Sequence, residues 1–201
     1  MSRERTDVRI ESVNGSAIEP YLDALAALRI EVFREYPYLY DGTIGYERRY
    51  LRGYAASPRS IVVLARAGDQ VVGAATAMPL TEHTESVAPA LADAGFDPQT
   101  IYYFGESVLR ADYRGRGLGH AFFDERERAA RSFGYTICTF CAVQRPADHP
   151  RRPADYVPHD AFWTKRGYTK RADIVAEFAW RDLDEAGETP KPMLFWVKEL
   201  S

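Results

Sequence analysis

Two cysteines, Cys138 and Cys141, are too few for a disulfide framework. Their C-x-x-C spacing supplies half of a four-cysteine zinc site, and no second pair exists to complete it. They sit in a strand-like run, where an offset of three puts the side chains on opposite faces, as expected of two structural thiols. The four histidines, His83, His120, His149 and His159, show neither H-x-x-x-H nor H-E-x-x-H spacing, so no metal site is expected. Nowhere does an uncharged apolar run approach the ~18 residues that a membrane-spanning helix needs. The first residues, Met1 to Asp7, are charged and lack the apolar segment of a signal peptide, so the cytoplasm is the expected location. An excess of positive charge is also lacking. The formal net charge of −3 argues against a dedicated nucleic-acid binder.

What remains is the composition of an ordinary globular protein, long enough at 201 residues for one domain with a substantial core. Val8, Ile10 and Val13 mark a first strand that ends at Asn14-Gly15. Pro20 opens a helix whose apolar positions are Tyr21, Leu25, Leu28 and Val32. An aromatic turn, Tyr36-Pro37-Tyr38-Leu39-Tyr40-Asp41-Gly42, separates it from a second helix over Tyr46 to Tyr54. Ser60 to Ala67 and Val71 to Ala77 read as a hairpin around Gly68-Asp69. The insert Thr81 to Gly95 turns helical at Val87, Leu91 and Ala94. Strands follow at Ile101 to Leu109 and Thr136 to Val143. A loop with four prolines, Gln144 to Pro158, precedes a short helix at Asp160 to Arg166 that Gly167 ends. Asp173 to Trp180 and Met193 to Lys198 are the last strands. The order β-α-α-β-β-α-β-α-β-α-β-β, with an early hairpin, implies a mixed sheet with helices on both faces.

The chemistry is expected between the strand Ile101 to Leu109 and the helix that carries Leu118, Phe122, Ala129 and Phe133. Between them lie the turn Arg110-Ala111-Asp112-Tyr113 and the segment Arg114-Gly115-Arg116-Gly117-Leu118-Gly119. A strand, a glycine-rich turn and a helix N-terminus present unpaired N–H groups and a positive dipole end to an anion. No Lys-Ser/Thr pair follows Gly119, which excludes a Walker-type loop. The spacing G-x-G-x-G, placed mid-chain, does not match a dinucleotide fingerprint.

Arg114-x-x-Gly117-x-Gly119, in this setting, resembles the coenzyme A pyrophosphate loop of the GNAT superfamily of acyl-CoA-dependent N-acyltransferases. The hairpin, the following strand and Phe162-Trp163-Thr164-Lys165-Arg166-Gly167-Tyr168 fall where that fold has its elements. The resemblance covers almost the whole chain. It implies a single acetyltransferase domain over residues 1–201, of α/β (α+β) type, with a mixed, mostly antiparallel sheet of about seven strands. That sheet is expected to splay between the strands at 101–109 and 136–143. By the same resemblance, acetyl-CoA is the cosubstrate. The backbone from Arg114 through Gly115, Arg116, Gly117 and Leu118 to Gly119 holds its pyrophosphate, and the main chain at Val108 and Leu109 pairs with the pantetheine. Arg110, Arg114 and Arg116 add positive charge for the phosphates. His120 at the helix start either leans on a phosphate or packs at the surface. Homodimers are compatible with the family, but the chain offers no apolar seam that argues for one.

Glu106 is the candidate base that frees an attacking amine. It is expected to share a strand face with Phe104 and Val108, among apolar neighbours that suit base work. Family members commonly carry a tyrosine at the position of Trp163, beside the coenzyme sulfur; an indole N–H donates a hydrogen bond but is no usable acid. Tyr156, His159 or solvent remain as proton donors, or the role is unfilled. Tyr36, Tyr38 and Tyr40 are candidate acceptor contacts, as a cage for a cation or a surface for a ring, or else a packed corner of the core. The expected activity is acetyl transfer from acetyl-CoA to a primary amine by direct attack in a ternary complex. The alternative is a catalytically silent acyl-CoA-binding module. Nothing in the residues selects among small amines, amino acids, aminoglycosides and protein N-termini.

Overall fold

The computed structural model describes residues 7–83 and 87–200. The charged residues 1–6 and residues 84–86 of the insert at 81–95 lie outside the described residues. The elements are β1 (Val8–Val13), α1 (Leu22–Phe33), α2 (Ile44–Ala56), β2 (Ile61–Ala67), β3 (Gln70–Pro79) and α3 (Val87–Asp93). They continue with β4 (Ile101–Leu109), α4 (Leu118–Ser132), β5 (Ile137–Val143), α5 (Asp160–Lys165), β6 (Thr169–Trp180) and β7 (Thr189–Glu199). This is the order expected from the sequence, with differences at element ends. α2 starts at Ile44 rather than Tyr46, and β7 at Thr189 rather than Met193. Pro20 falls inside a 3-10 stretch, Gly15–Tyr21, that precedes α1 rather than opening it. β6 begins at Thr169, four residues before Asp173, because polar Thr169 to Arg171 still pair with Phe195 to Val197 ahead of an irregularity between Arg171 and Val175. Polarity is no obstacle there, since β6 is an edge strand and most of its first residues are exposed.

The seven strands lie in the order β1-β2-β3-β4-β5-β7-β6, antiparallel except for β4 beside β5. The mostly apolar β2 and β3 sit inside the sheet, and their Val- and Ala-rich stretches Ile61 to Ala65 and Val71 to Ala75 are buried on both faces. On one face α1 and α2 bury Leu25, Leu28, Leu51 and Tyr54 against Val62, Leu64 and Val108. On the other, α4 buries Phe122 and Phe123 against Val63, Val72 and Phe104. A third cluster packs α3, through Val87 and Leu91, with Tyr103, Cys141 and Phe195. Cys138 and Cys141 are both buried and join different clusters, on opposite faces.

Two irregularities place the site. β4 and β5 pair only over Ile101 to Tyr103, opposite Ile137 to Thr139. Beyond that point β5 keeps to β7 along its whole length while β4 keeps to β3, so the sheet splays. Just where it opens, β4 carries a bulge. Ala75 faces Ser107 and Ala77 faces Phe104, so Gly105 and Glu106 together oppose Thr76. The extra residue reverses the alternation of side chains. Phe104 points to α4, whereas Val108 points to α1 and α2, and Glu106 meets Arg29 of α1 and Tyr50 of α2. The expectation that Glu106 shares a face with Phe104 is therefore corrected, because simple alternation does not survive an inserted residue.

Gly105 is required by close packing. A Cβ there would stand 2.0 Å from the Tyr54 hydroxyl and 2.6 Å from Thr76 Oγ1. Gly105→Ala is expected to lower stability by roughly 2–3 kcal/mol in urea unfolding, as overpacking does. Gly53→Ala, inside α2 with nothing within 4 Å of its Cβ, should instead gain about 0.5–1 kcal/mol. Equal effects at the two sites would contradict the packing described.

Candidate active site

The glycine-rich segment runs from the exposed end of β4 into α4. Gly117 caps the helix with φ of 80°, a left-handed conformation that suits glycine, and Gly115 has φ of 73°. A Cβ on either would meet nothing within 4 Å, so the outer face of the turn is not covered by other parts of the chain. The N–H groups of Leu118 and Gly119 open α4, ahead of its first i→i−4 bonds, and are free for an anion. The arginines are less free. Arg110 pairs with Glu31 of α1 at 3.0 Å, and Arg114 with Glu35, just past the end of α1, at 2.8 Å. Arg116 donates to the Asp112 carbonyl at 2.7 Å and lies over the Tyr113 ring. His120 packs its ring against Phe162 at 4.9 Å.

From this turn a cavity of about 930 Å³ follows the splay inward, lined by Arg114, Gly119, Leu109, Ser107, Glu106 and Cys141 among others. Arg110 donates its N–H to Val72 across the β3 ladder, so by alternation the N–H groups of Ser107 and Leu109 point the other way, into the gap. The outward edge of β4 toward the cavity is thus formed by the main chain of Ser107 and Leu109, while the Val108 side chain is buried on the α1–α2 face. The Leu109 carbonyl accepts from Arg114 Nε at 3.1 Å. A turn with free N–H groups, an open strand edge and a long cavity between them suit an extended, diphosphate-bearing substrate.

A second cavity of about 780 Å³ approaches the bulge and shares Phe33, Tyr38, Gly105, Glu106 and Cys141 with the first. Its wall is aromatic (Tyr40, Tyr46, Tyr50, Tyr103, Phe178, Trp180), with the carboxylates of Asp41, Glu177 and Glu188 and the guanidinium groups of Arg29, Arg49 and Arg181 also on it. Glu106 stands where the two meet. One of its oxygens lies 2.6 Å from Arg29 Nη1, and the other accepts from the Tyr50 hydroxyl at 3.0 Å. Arg29 in turn donates Nε to Glu47 at 2.5 Å. Its guanidinium lies over the Tyr50 ring, 4.2 Å from the centroid. Glu47 is wholly buried. Burial alone would lower the Arg29 pKa, but Glu106, then Tyr50 and Glu47, raise it well above its ordinary value. The cluster thus sets two carboxylate side chains around one guanidinium. Glu106 is paired to a cation rather than surrounded by apolar groups alone. Beside this cluster the His83 ring packs 4.6 Å from Tyr103, and burial pushes its pKa down to about 4, so it is neutral at neutral pH.

The remaining candidates divide between the cavities. Tyr156 and His159 line the first, as do Trp163 and Tyr36. Tyr156 packs edge-on to Tyr36 at 4.7 Å, under Arg152, and burial raises its pKa, so it keeps its proton. Burial, then Arg114, lowers the His159 pKa. Trp163 packs between Phe140 and Trp196, each 5.1 Å away. The three tyrosines of the aromatic turn do not make one cage. Tyr36 faces the first cavity, Tyr40 the second, and Tyr38 both. Tyr38 is fixed by its carbonyl, which accepts from Arg145 at 2.8 Å and Trp180 at 3.1 Å. Burial, then Glu47, raises the Tyr40 pKa; its hydroxyl bonds Glu47. Among the described residues no group of three or more His, Cys, Asp or Glu side chains is placed to hold a metal ion, and no helix is long and apolar enough to cross a membrane.

Sequence reasoning missed Arg29, Glu47 and Arg126. Each interrupts an apolar helix face at core spacing: Arg29 four residues after Leu25, Glu47 four before Leu51, and Arg126 four after Phe122, all of them buried. A charge in register with a core stripe was the available signal. Arg29→Met, which leaves two buried carboxylates facing each other, is expected to lower stability by about 3–5 kcal/mol. Arg29→Met with Glu47→Met should recover part of that loss. Unfolding in urea measures both, and an unchanged midpoint for Arg29→Met would contradict the buried cluster.

Comparison with known proteins agrees with this architecture. The sequence model of the acetyltransferase (GNAT) family matches residues 25–154. No curated protein sequence matches the chain. Among solved structures, an N-acetyltransferase from Staphylococcus aureus Mu50 is similar with a TM-score of 0.62 at 12% identity, over 97% of this chain and 99% of that one. A ribosomal-protein-alanine N-acetyltransferase from Brucella melitensis has a TM-score of 0.59 at 16% identity, over 96% and 99%. The protein yncA from Salmonella typhimurium, solved with its cofactor acetyl-CoA, has 0.57 at 12%, over 96% and 94%. At such identities these structures speak for the fold, a mixed seven-stranded sheet with helices on both faces. The family match spans well over half of the 201 residues and bears on membership directly. The chain belongs to the GNAT family of acetyltransferases.

Proposed function

We propose that this protein moves an acetyl group from acetyl-CoA to a primary amine, by direct attack while both substrates are bound, and that Glu106 accepts the amine's proton. The observation that carries this reading is the position of Glu106, in the β4 bulge at the meeting point of the two cavities. In this reading the pyrophosphate lies on the N–H groups from Gly115 to Gly119, at the positive end of α4. The pantetheine follows the outward edge of β4 at Ser107 and Leu109, and the thioester reaches the gap beyond Ser107. The N–H groups pointing into that gap are positioned to stabilise charge on the thioester oxygen.

The amine comes from the second cavity. Glu106 takes its proton so that the nitrogen lone pair is free to attack. The carbon–nitrogen bond forms, the carbon–sulfur bond breaks, and the electron pair leaves on sulfur.

Acetyl-CoA at about a hundred times its Kd should stabilise the fold by ~2.7 kcal/mol, raising the melting temperature by about 5–10 °C. Gly117→Glu should abolish that rise by placing bulk and negative charge on the pyrophosphate. Glu106→Gln should keep the rise but lose roughly 100-fold or more in thiol release with the best amine of a diverse panel. Two results tell against the reading: a melting temperature indifferent to both acetyl-CoA and CoA, or full turnover in Glu106→Gln. Cofactor binding with no turnover on any amine would point instead to a silent acyl-CoA-binding module.

A further inference from the structure

Behind the bulge lies a cation that the chemistry above has not used. Arg126 takes the core position of α4 between Phe122 and Ala130 and is 2% exposed. Four of its five N–H groups are engaged. Nε donates to the Phe122 carbonyl at 3.2 Å, and Nη1 to the carbonyls of Thr76 at 3.3 Å and Glu106 at 3.2 Å. Nη2 donates to Ser107 Oγ at 2.8 Å. The guanidinium lies over the rings of Phe104 and Phe123, 4.3 and 4.8 Å from their centroids. Thr76 and Glu106 are the residues of the bulge itself, so Arg126 bonds carbonyls at the place where the ladder is broken.

Hydrogen bonds to neutral groups do not cancel its charge. Buried cations are ordinarily paired with carboxylates, yet among the described residues no ion pair includes Arg126. Its neighbour Glu127 is committed to Arg166 and Lys198, and Glu106 to Arg29 on the other face. The titratable groups facing Arg126 are Tyr168, Glu106, Cys138 and Tyr54. Burial raises the pKa of Tyr168, Cys138 and Tyr54, so those three are neutral at neutral pH. Burial lowers the Arg126 pKa to about 10, against the pull of Tyr168 and Glu106, which leaves it protonated. It lines the first cavity beside Ser107, Phe104, Phe140 and Trp163, with one Nη2 hydrogen left without an acceptor among the described residues. Arg126 and the Arg29–Glu106–Glu47 cluster thus lie on opposite faces of the bulge, the first without a carboxylate partner among the described residues.

We infer that Arg126 stabilises the thiolate that leaves when the thioester breaks, in place of a proton donor at the position of Trp163. The inference rests on the acetyl-transfer reading. As the carbon–nitrogen bond forms and the carbon–sulfur bond breaks, the amine's proton goes to Glu106 and the electron pair to sulfur. The buried guanidinium offsets the negative charge on sulfur until the thiolate takes a proton from solvent. Such a site needs no acid of matched pKa, which agrees with an indole standing beside the cavity.

The test uses CoA itself and needs no acceptor. Ultraviolet titration of the thiolate, on protein saturated with CoA, should find the bound thiol ionising about one pH unit or more below the free thiol. Arg126→Gln should lose that shift while CoA still raises its melting temperature. Arg126→Lys, which keeps the charge without the planar fork, should retain part of it. A bound thiol that titrates like free CoA in the wild type overturns the inference, as does a shift that persists in Arg126→Gln. If Arg126→Gln does not fold, the wild-type titration and Arg126→Lys decide: complete loss of the shift in the lysine variant counts against a role for charge. Failure of CoA to bind the wild type would sink the acetyl-CoA reading as well, whereas binding with an unshifted thiol sinks only the role of Arg126.

Discussion

One more residue in β4 than in the facing stretch of β3 breaks the sheet's alternation at Gly105 and Glu106. Most of what is distinctive about this molecule depends on that insertion. The bulge turns Glu106 away from α4 and toward α1 and α2, where Arg29 and Tyr50 receive it. It coincides with the end of β4–β5 pairing, so the strand is irregular where the sheet opens. The two cavities can share Glu106 only because a side chain and a gap occur at the same point. Gly105 makes room, since any side chain there would run into the hydroxyls of Tyr54 and Tyr50 and into Thr76.

Holding ions in that place is costly, and the structure distributes the cost. A buried carboxylate without a partner would lose several kcal/mol of solvation, so Glu106 shares Arg29 with Glu47, and the guanidinium lies against the Tyr50 ring. On the other face Arg126 uses four neutral acceptors and two aromatic faces instead. Neither arrangement is an efficient route to stability, since apolar replacements of similar volume usually do as well. In the proposed reaction their value lies in fixing charge at a site of proton and acyl transfer before the substrates arrive.

The fold was legible because its signals are local. Strand alternation, Gly68 in the hairpin turn, prolines at element ends and the Arg114-x-x-Gly117-x-Gly119 turn each specify their own stretch, and the element order followed from them. The splay between β4 and β5 came from family resemblance rather than from any residue pattern. The bulge left no sequence mark beyond a glycine in a strand, so simple alternation put Glu106 on the wrong face. Arg29, Glu47 and Arg126 went unnoticed for a different reason. Periodicity tracks apolar residues, and a charge on an apolar stripe reads as an interruption until the partner from another helix or strand is seen. Ion pairs such as Arg29 with Glu106, 77 positions apart in the sequence, are tertiary facts with no local signature. The aromatic turn shows the limit in another way: Tyr36, Tyr38 and Tyr40 are close in sequence but serve two different cavities.

The central claim is that the bulge brings a carboxylate on one side of the sheet to a thioester on the other. A crystal structure with CoA bound tests it most directly. The account predicts the pyrophosphate on the backbone from Gly115 to Gly119, the pantetheine along Ser107 to Leu109, and the sulfur in the gap between β4 and β5, within reach of the Gly105–Glu106 bulge. A sulfur atom lodged elsewhere, with the bulge closed off from the cavity by the bound coenzyme, would contradict it.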